Sequence, residues 1–532
     1  MTTVADVVGS LVVRLGATSA FGVVGSGNFH VTNALKRAGV QFVATRHEGG
    51  AATMADAYAR TSGVPGVLSL HQGCGLTNAM TGIAEAAKSR TPLLVLTADT
   101  AASAVRSNFR IDQDALVRSV GAVPERVYGA STVVADVVRA WRTAREGRRT
   151  VVLNLPLDVQ TQQAELGDVP DLATPVPVRP GATAVEALAA AITAAKRPVF
   201  IGGRGARGHG PVLRELAGRT GALVATSAVA KGLFSGDPFD LGVSGGFSNP
   251  RTAELIQGAD LLVGWGCSLT MWTLRHGRLI GDGTRLIQID DELDALGANR
   301  PIDLGVHGDV GETAACVLPL LEQRQGYRTA TVGEPGWGPF DLSTADRIDP
   351  RSLSAELNRL LPTERTVAVD SGNFMGYPAA FLDVPDEAGF CFTQAFQSIG
   401  LGLGTAVGAA LARPDRLTVL GTGDGGLLMA AAELDTVARL GLPLLIVVYD
   451  DAAYGAEIHH FGADADLSTV TFPDTDIAAI ARGYGLQGAT VRTLGDLRGA
   501  LNSWDRRSAL LLDAKIANDG GSWWLAEAFR GH

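Results

Sequence analysis

Residues Val419–Gly455 read VLGTGDGGLLMAAAELDTVARLGLPLLIVVYDDAAYG, and this stretch decides the fold. Val419 and Leu420 close an apolar strand. Gly421, Gly423, Gly425 and Gly426 follow as a turn that only small residues can trace closely. Leu427–Leu440 carries helical apolar spacing until Leu442-Pro443 breaks it. Leu444–Tyr449 is then a buried-strand run rich in Ile and Val. This order puts Asp424, and then Asp450 and Asp451, at the carboxyl ends of two strands, the edge where open α/β sheets bind ligands. Two readings fit. Glycine N–H groups and a helix N-terminus suit phosphate oxygens, and a carboxylate on each turn suits a hard cation such as Mg²⁺ that neutralises a diphosphate. A Gly-rich βα turn of any doubly wound fold, with Asp residues as helix caps, has the same spacing.

The strand–helix rhythm extends outward from this stretch. Upstream, Thr366–Val369 is a strand that enters the turn Asp370-Ser371-Gly372-Asn373. In the first part of the chain, Phe21–Val24 runs into Gly25-Ser26-Gly27-Asn28. Gln41–Thr45 exits through Arg46–Gly50 into a helix over Ala51–Arg60. Gly66–Leu70 ends in His71–Gly75, and Pro92–Thr97 and Thr150–Leu155 are further strands. In the middle, Val199–Ile201 leads into Gly202–Gly205, Leu261–Gly264 into Trp265–Cys267, and Leu286–Ile289 into Asp290-Asp291. Gly203-Arg204-Gly205 resembles a dinucleotide turn, but a lone GxG reads as a structural tight turn. Pro-rich residues 166–182 and the Gly- and Pro-bearing residues 326–348 are linkers. The pattern predicts an α/β protein of three doubly wound parallel-sheet domains, over 1–165, 183–325 and 349–532. Regions one and three share one rhythm, as an ancient duplication would leave it. Asn518–His532, with Trp523-Trp524, reads as a packed terminal helix, with a flap over a site as the alternative.

Composition narrows the function. At 532 residues the chain is too long for one core. Its 45 Lys and Arg against 55 Asp and Glu leave a net charge of −10, and no basic run offsets it, which argues against nucleic-acid and anionic-membrane partners. Cys74, Cys267, Cys316 and Cys391 lack CxxC spacing and read as reduced thiols. Met1–Gly16 has the spacing of an amphipathic helix rather than a secretion signal, and no apolar run reaches membrane-spanning length. A soluble, cytoplasmic protein is the expectation.

The GDGG and VVYDDAAYG segments resemble the cofactor signature of thiamine-diphosphate enzymes. FVATRHEGGAATMADAYAR (42–60) and GLTNAMTGIAEAAKSRTPLLVLTAD (75–99) resemble acetolactate synthases. The likeness spans the chain and its three-domain plan of pyrimidine-binding, central and diphosphate-binding domains. It implies thiamine diphosphate and Mg²⁺ as cofactors, with Gly423, Gly425, Gly426 and Tyr454 around the diphosphate. Glu48 falls on the glutamate that activates the cofactor through its pyrimidine ring. Asp424, Asp451 and the Ala453 carbonyl fall on the metal ligands, with Asp451 where the family usually has Asn. Ile399 matches the residue wedged between the two cofactor rings, and Gln397 the carbonyl that receives the amino group. Asn373 falls on a polar diphosphate position, whereas Phe374 beside it cannot serve there.

On the substrate side, His71 and Ser26 resemble site residues of benzoylformate decarboxylase. Glu457 falls where pyruvate decarboxylases place a glutamate, with His459 or His460 nearby, and Gln113 stands in for a glutamine that acetolactate synthases carry nearby. The resemblance implies decarboxylation of a 2-oxo acid with carboligation to a second carbonyl compound. Release of the aldehyde, in the manner of benzoylformate decarboxylase, is the alternative, and a non-catalytic cofactor-binding homologue is a third. It also implies a homodimer or homotetramer, and it leaves FAD in the central domain as a possible further cofactor.

Overall fold

The apolar runs pair in parallel, and the three regions become three six-stranded sheets flanked by helices. The computed structural model describes residues 2–169, 172–330, 332, 333, 337, 340–462, 464–518, 520 and 523–528. The first sheet contains β1 (Ser19–Gly22), β2 (Gln41–Ala44), β3 (Gly66–Leu70), β4 (Leu93–Asp99), β5 (Val123–Arg126) and β6 (Thr150–Pro156), in the order β2-β1-β3-β4-β6-β5. The second contains β7 (Pro198–Gly202), β8 (Leu223–Thr226), β9 (Asp240–Val243), β10 (Leu261–Trp265), β11 (Arg285–Asp290) and β12 (Leu304–His307), in the order β12-β11-β10-β7-β8-β9. The third contains β13 (Arg365–Val369), β14 (Phe390–Phe392), β15 (Leu417–Gly423), β16 (Leu444–Asp450), β17 (Gln487–Val491) and β18 (Leu510–Lys515), in the order β14-β13-β15-β16-β18-β17. Sheets one and three thus share one strand permutation and the middle sheet has another. The expected three-sheet α/β architecture is present.

The central strands explain the legibility of the pattern. Every residue of β3, β6, β13, β16 and β18 is buried, as parallel strands covered on both faces must be. The first and third domains then merge. Met54 and Ala55 of the helix Glu48–Ser62 share one apolar cluster with Leu403, Val407, Leu420 and Ile446. That helix lies directly on the helix Gly402–Ala412. A Cβ on Gly408 would stand 2.2 Å from the Met54 carbonyl oxygen, so only glycine allows this approach.

The deciding stretch differs from its expected form in two ways. β15 continues through Gly421 to Gly423, and a helix begins at Asp424, so the glycine turn is shorter than its composition suggests. The single helix expected over Leu427–Leu440 is broken into Asp424–Met429, a 3₁₀ turn Ala431–Glu433 and Leu434–Leu440. The break has a tertiary cause. Glu433, buried, turns away to accept the backbone N–H groups of Arg46 at 3.1 Å and His47 at 2.8 Å in the first domain. Glu48, expected in an exit turn, is the first residue of its helix, and His47 caps that helix through Nδ1.

In the tail, Trp523–Ala528 forms a helix, while 519, 521, 522 and 529–532 lie outside the described residues, as do 170, 171, 331, 334–336, 338 and 339 of the two linkers. Among the described residues, no helix is long and apolar enough to cross a membrane.

Candidate active site

β15 and β16 are neighbours, with Gly423 opposite Tyr449, so Asp424 and the Asp450-Asp451 pair leave the sheet side by side. The turn after β16 is tightly held. Ala452 adopts φ +56°, a left-handed conformation that a non-glycine residue takes only when its surroundings enforce it. Its N–H donates to Asp450 Oδ1 at 2.9 Å, and its carbonyl accepts from Phe472 at 2.8 Å. Glycines clear the space around this turn. A Cβ on Gly425 would lie 2.6 Å from the Tyr454 ring, and one on Gly455 2.3 Å from Asp451 Oδ2 and 3.2 Å from the Asn373 side chain. Asn373 therefore borders the turn. Phe374 is buried and stacks on Tyr449, with centroids 5.5 Å apart, so it is part of the core rather than a polar ligand.

Charge at this turn points to a cation. Burial, then the Asp451 and Asp450 carboxylates, push Asp424 up to about 8. Burial, then Asp450, push Asp451 up to about 7. Carboxylates so crowded out of water are stabilised in their ionised form by a divalent ion. Among the described residues, no group of three or more His, Cys, Asp or Glu side chains could hold a metal. Here two carboxylates would be completed by a main-chain oxygen, that of Ala453, and by diphosphate and water, an oxygen set that suits Mg²⁺. A cavity of about 360 Å³ opens beside Asp424, Gly425, Tyr454 and Phe472. The residues present fit a magnesium diphosphate. Asp451→Asn keeps an oxygen donor and removes one buried like charge. Cofactor affinity should hold or rise by up to about tenfold, the worth of one pKa unit. Weaker binding of the variant in calorimetry would remove Asp451 from the ligand set.

A second group forms at the end of β3. His71 Nδ1 donates to the Gln72 carbonyl at 2.8 Å, which leaves Nε2 toward the Ser26 hydroxyl at 3.4 Å. Phe109 packs edge-on against the imidazole. Glu48 Oε2 accepts from Asn78 Nδ2 at 3.1 Å. Gly75 separates the two groups: a Cβ there would lie 3.1 Å from His71 Cβ and 3.7 Å from Glu48 Oε1. Ser26, Glu48 and His71 thus meet in one place.

Gln113 does not join them as a catalytic group. It is buried, its Nε2 donates to Ala98 O at 3.1 Å and Asn154 Oδ1 at 2.6 Å, and its Oε1 accepts from Gly73 N–H at 2.9 Å. With its amide fully engaged, it supports the turn that carries His71.

Gln397, Ile399 and Glu457 line a third feature, a cavity of about 780 Å³ that continues to Gly203 and Arg204 of the central domain. Gln397 has φ +59°, again left-handed. His459 and His460 share a helix with Glu457 but line neither cavity. Gly203 and Gly205 meet the Trp265–Cys267 segment backbone to backbone, donating to Trp265 O and Gly266 O at 2.9 Å, as a structural tight turn does.

Several residues that support the site carried no sequence signal of their own. Asp370 accepts from Gly400 and Leu401 N–H and from the Thr422 hydroxyl, so it ties the Gln397–Ile399 loop to β15; burial pushes it up to about 6. Glu433 fixes the chain just before Glu48. Trp524 is fully buried, donates Nε1 to the Asn373 carbonyl at 2.8 Å, and lies so close to Gly376 that a Cβ there would clash with its ring. An acidic residue in a glycine turn or a tryptophan in a tail has many ordinary explanations, and only the fold reveals what these contact. Among the described residues, no hydrogen bond or ion pair joins Glu48, Ser26 or His71 to Asp424, Asp451, Gln397 or Glu457 within one chain.

Two parallel-sheet domains of like topology, one ending in a carboxylate-bearing glycine turn and the other in a Glu and His group, are the architecture of a cofactor-dependent α/β enzyme. Comparison with known proteins agrees. The thiamine pyrophosphate enzyme N-terminal TPP binding domain matches residues 2–116, the central domain 185–317 and the C-terminal TPP binding domain 370–512. The chain belongs to the thiamine pyrophosphate enzyme family, and thiamine diphosphate is its cofactor. It is 28% identical to a sulfoacetaldehyde acetyltransferase of Rhodobacter capsulatus, over 92% of this chain and 89% of that one. It is 28% identical to a probable 2-ketoarginine decarboxylase of Pseudomonas aeruginosa, over 94% and 92%. It is 26% identical to an acetolactate synthase of Bacillus subtilis, over 93% and 90%. The chain is thus a thiamine-diphosphate-dependent enzyme of the 2-oxo acid decarboxylase and carboligase group.

Proposed function

We propose that the protein decarboxylates a 2-oxo acid and joins the remaining fragment to a second carbonyl compound. The observation that carries this reading is the cavity past Gln397 and Ile399. At about 780 Å³ it has room for more than one small oxo acid beside Gln397, Ile399 and Glu457. Bound thiamine diphosphate supplies the nucleophilic carbon and the electron sink. Asp424, Asp451 and the Ala453 carbonyl would hold its metal, Asn373 would border the diphosphate, and Ile399, Gln397 and Glu48 would hold the rings. Ser26, His71 and Glu457 would move protons and orient the acceptor; the Nδ1 bond to the Gln72 carbonyl leaves His71 Nε2 directed at Ser26.

The Ser26–His71 pair favours a second reading, in which a proton rather than a carbonyl is added and an aldehyde is released. Incubation with pyruvate and a panel of other 2-oxo acids, with separate quantification of aldehyde, acyloin and acetohydroxy acid, decides between them. Binding of thiamine diphosphate without turnover of any acid would leave a non-catalytic homologue. FAD in the central domain draws support from the same cavity, which reaches the Gly203–Gly205 turn; flavin bands in the absorbance of pure protein would establish it, and their absence would exclude a tightly bound flavin.

The two halves of the site point to a second copy of the chain. Each chain gives its Glu48 half to one site and its Asp424 half to the other. Exposed apolar side chains flank both halves, Phe29 and Phe109 near the first and Phe396 and Met429 near the second. Co-expression of Glu48→Gln and Asp424→Asn chains, each inactive alone, should then restore about one quarter of wild-type activity through mixed dimers. Mixed dimers without activity would place both halves of each site in one chain.

A further inference from the structure

Asp450 and Asp451 put two carboxylates on the turn that would face the cofactor's diphosphate, and the fold provides a cation directly behind it. β16 and β18 are neighbours, and Asp450 is in register with Lys515. Lys515 Nζ lies 2.5 Å from Asp450 Oδ2, 2.6 Å from Asp474 Oδ1 and 3.2 Å from Asp513 Oδ2, and it donates to the Thr475 carbonyl at 2.9 Å. The side chains of Lys515 and Asp450 are each only 2% exposed. The other oxygen of Asp450 accepts the N–H of Ala452, the left-handed residue between Asp451 and Ala453. The Ala452 carbonyl in turn receives Phe472, which precedes Asp474 and Thr475 by two and three residues. One ammonium therefore fastens the end of β16, the end of β18 and the Phe472–Thr475 segment around the metal turn.

We propose that Lys515 is a positioning residue of the metal site. Through Asp450 it fixes the turn so that Asp451 and the Ala453 carbonyl face the ion, and it neutralises Asp450 so that the turn does not present two uncompensated carboxylates to a diphosphate. The inference rests on the metal ligands named under the proposed function. Its physical basis is the asymmetry of buried ion pairs. A pair adds modestly to stability, but removal of one member leaves a buried, uncompensated charge.

The test is calorimetric titration of thiamine diphosphate, with excess Mg²⁺, into the full-length protein. K515M should bind at least about tenfold more weakly, the lower end of what loss of a ligand-supporting partner costs. K515M/D450N, which removes the stranded charge on the metal turn itself, though not those of Asp474 and Asp513, and keeps an oxygen for Ala452, should recover most of that loss. D450N alone, which keeps an oxygen for Ala452 but turns its NH2 toward the Lys515 ammonium, should bind a few-fold more weakly than wild type, and D450A, without the contact to Ala452, about tenfold more weakly. Unchanged affinity in K515M, or a double variant no better than the single one, overturns the proposal. If K515M does not fold, the contrast between D450N and D450A decides, and equal affinities there overturn it. The contrast between D450N and D450A separates positioning from a general loss of stability: both break the ion pair with Lys515, and only D450N keeps an oxygen for Ala452. D424N is the control: if it binds as wild type, the metal assignment fails first, and this inference with it.

Discussion

Glu48→Gln should reduce turnover of the 2-oxo acid by about 10²- to 10⁴-fold, the usual worth of a positioned acid–base group. Thiamine diphosphate affinity should change by no more than a few-fold. The amide has nearly the same shape, and the side-chain hydrogen bond that Glu48 accepts from Asn78 can be kept by an amide oxygen. Glu48 is the first residue of a helix whose packing against Gly404 and Gly408 does not involve its side chain, so the fold should persist. Steady-state turnover beside calorimetric binding separates the two effects. Turnover near the wild-type rate would remove Glu48 from the chemistry, whereas lost binding with residual turnover per loaded site would make it an anchor instead.

Asp424→Asn should have the opposite profile. Loss of a carboxylate from the metal set should weaken Mg²⁺-dependent cofactor binding by about a hundredfold or more, since even the outer partners of metal ligands are worth 10- to 100-fold. The cofactor-free protein should meanwhile become more stable. Burial and the Asp451 and Asp450 carboxylates hold Asp424 at about 8, above the ~3.9 of an unfolded chain. Its contribution to stability is thus present in acid and lost as pH rises toward about 8. An amide has no such loss, so the gain in melting temperature should grow between about pH 4 and about pH 8. A variant that melts lower than wild type across that range, with binding intact, would contradict both parts.

The sequence disclosed most of the frame because the frame is built from buried parallel strands. Runs such as Leu444–Tyr449 have no other stable place in a chain of this composition, and β16 ends only one residue beyond the expected bound. Edge strands were harder to find. β5, Val-Pro-Glu-Arg, is half-buried throughout and bears two charges, so neither alternation nor an apolar run marks it. The helix break at Ala431–Glu433 was invisible for another reason. Local propensity favours one continuous helix, and the force that breaks it comes from backbone N–H groups 386 and 387 residues away in sequence.

The candidate site divides along the same line. Asp424, Asp451 and Glu48 lie in motifs whose spacing has chemical meaning. Gln113 looked catalytic by position alone, and its buried hydrogen bonds give it a supporting part. Lys515 ends an ordinary strand, and only the register with Asp450 discloses it. The Asp450-Asp451 pair, which as sequence suggested one charge too many, becomes a balanced arrangement once the strand beside it is known.

Trp524 has a practical consequence. Its indole donates to the carbonyl of Asn373, whose side chain borders the metal turn, and its ring rests on Gly376 and packs edge-on to Tyr377. The protein therefore carries a native fluorophore wired to the floor of its own cofactor site. Loading of the cofactor should alter the surroundings of this residue, one of seven tryptophans in the chain.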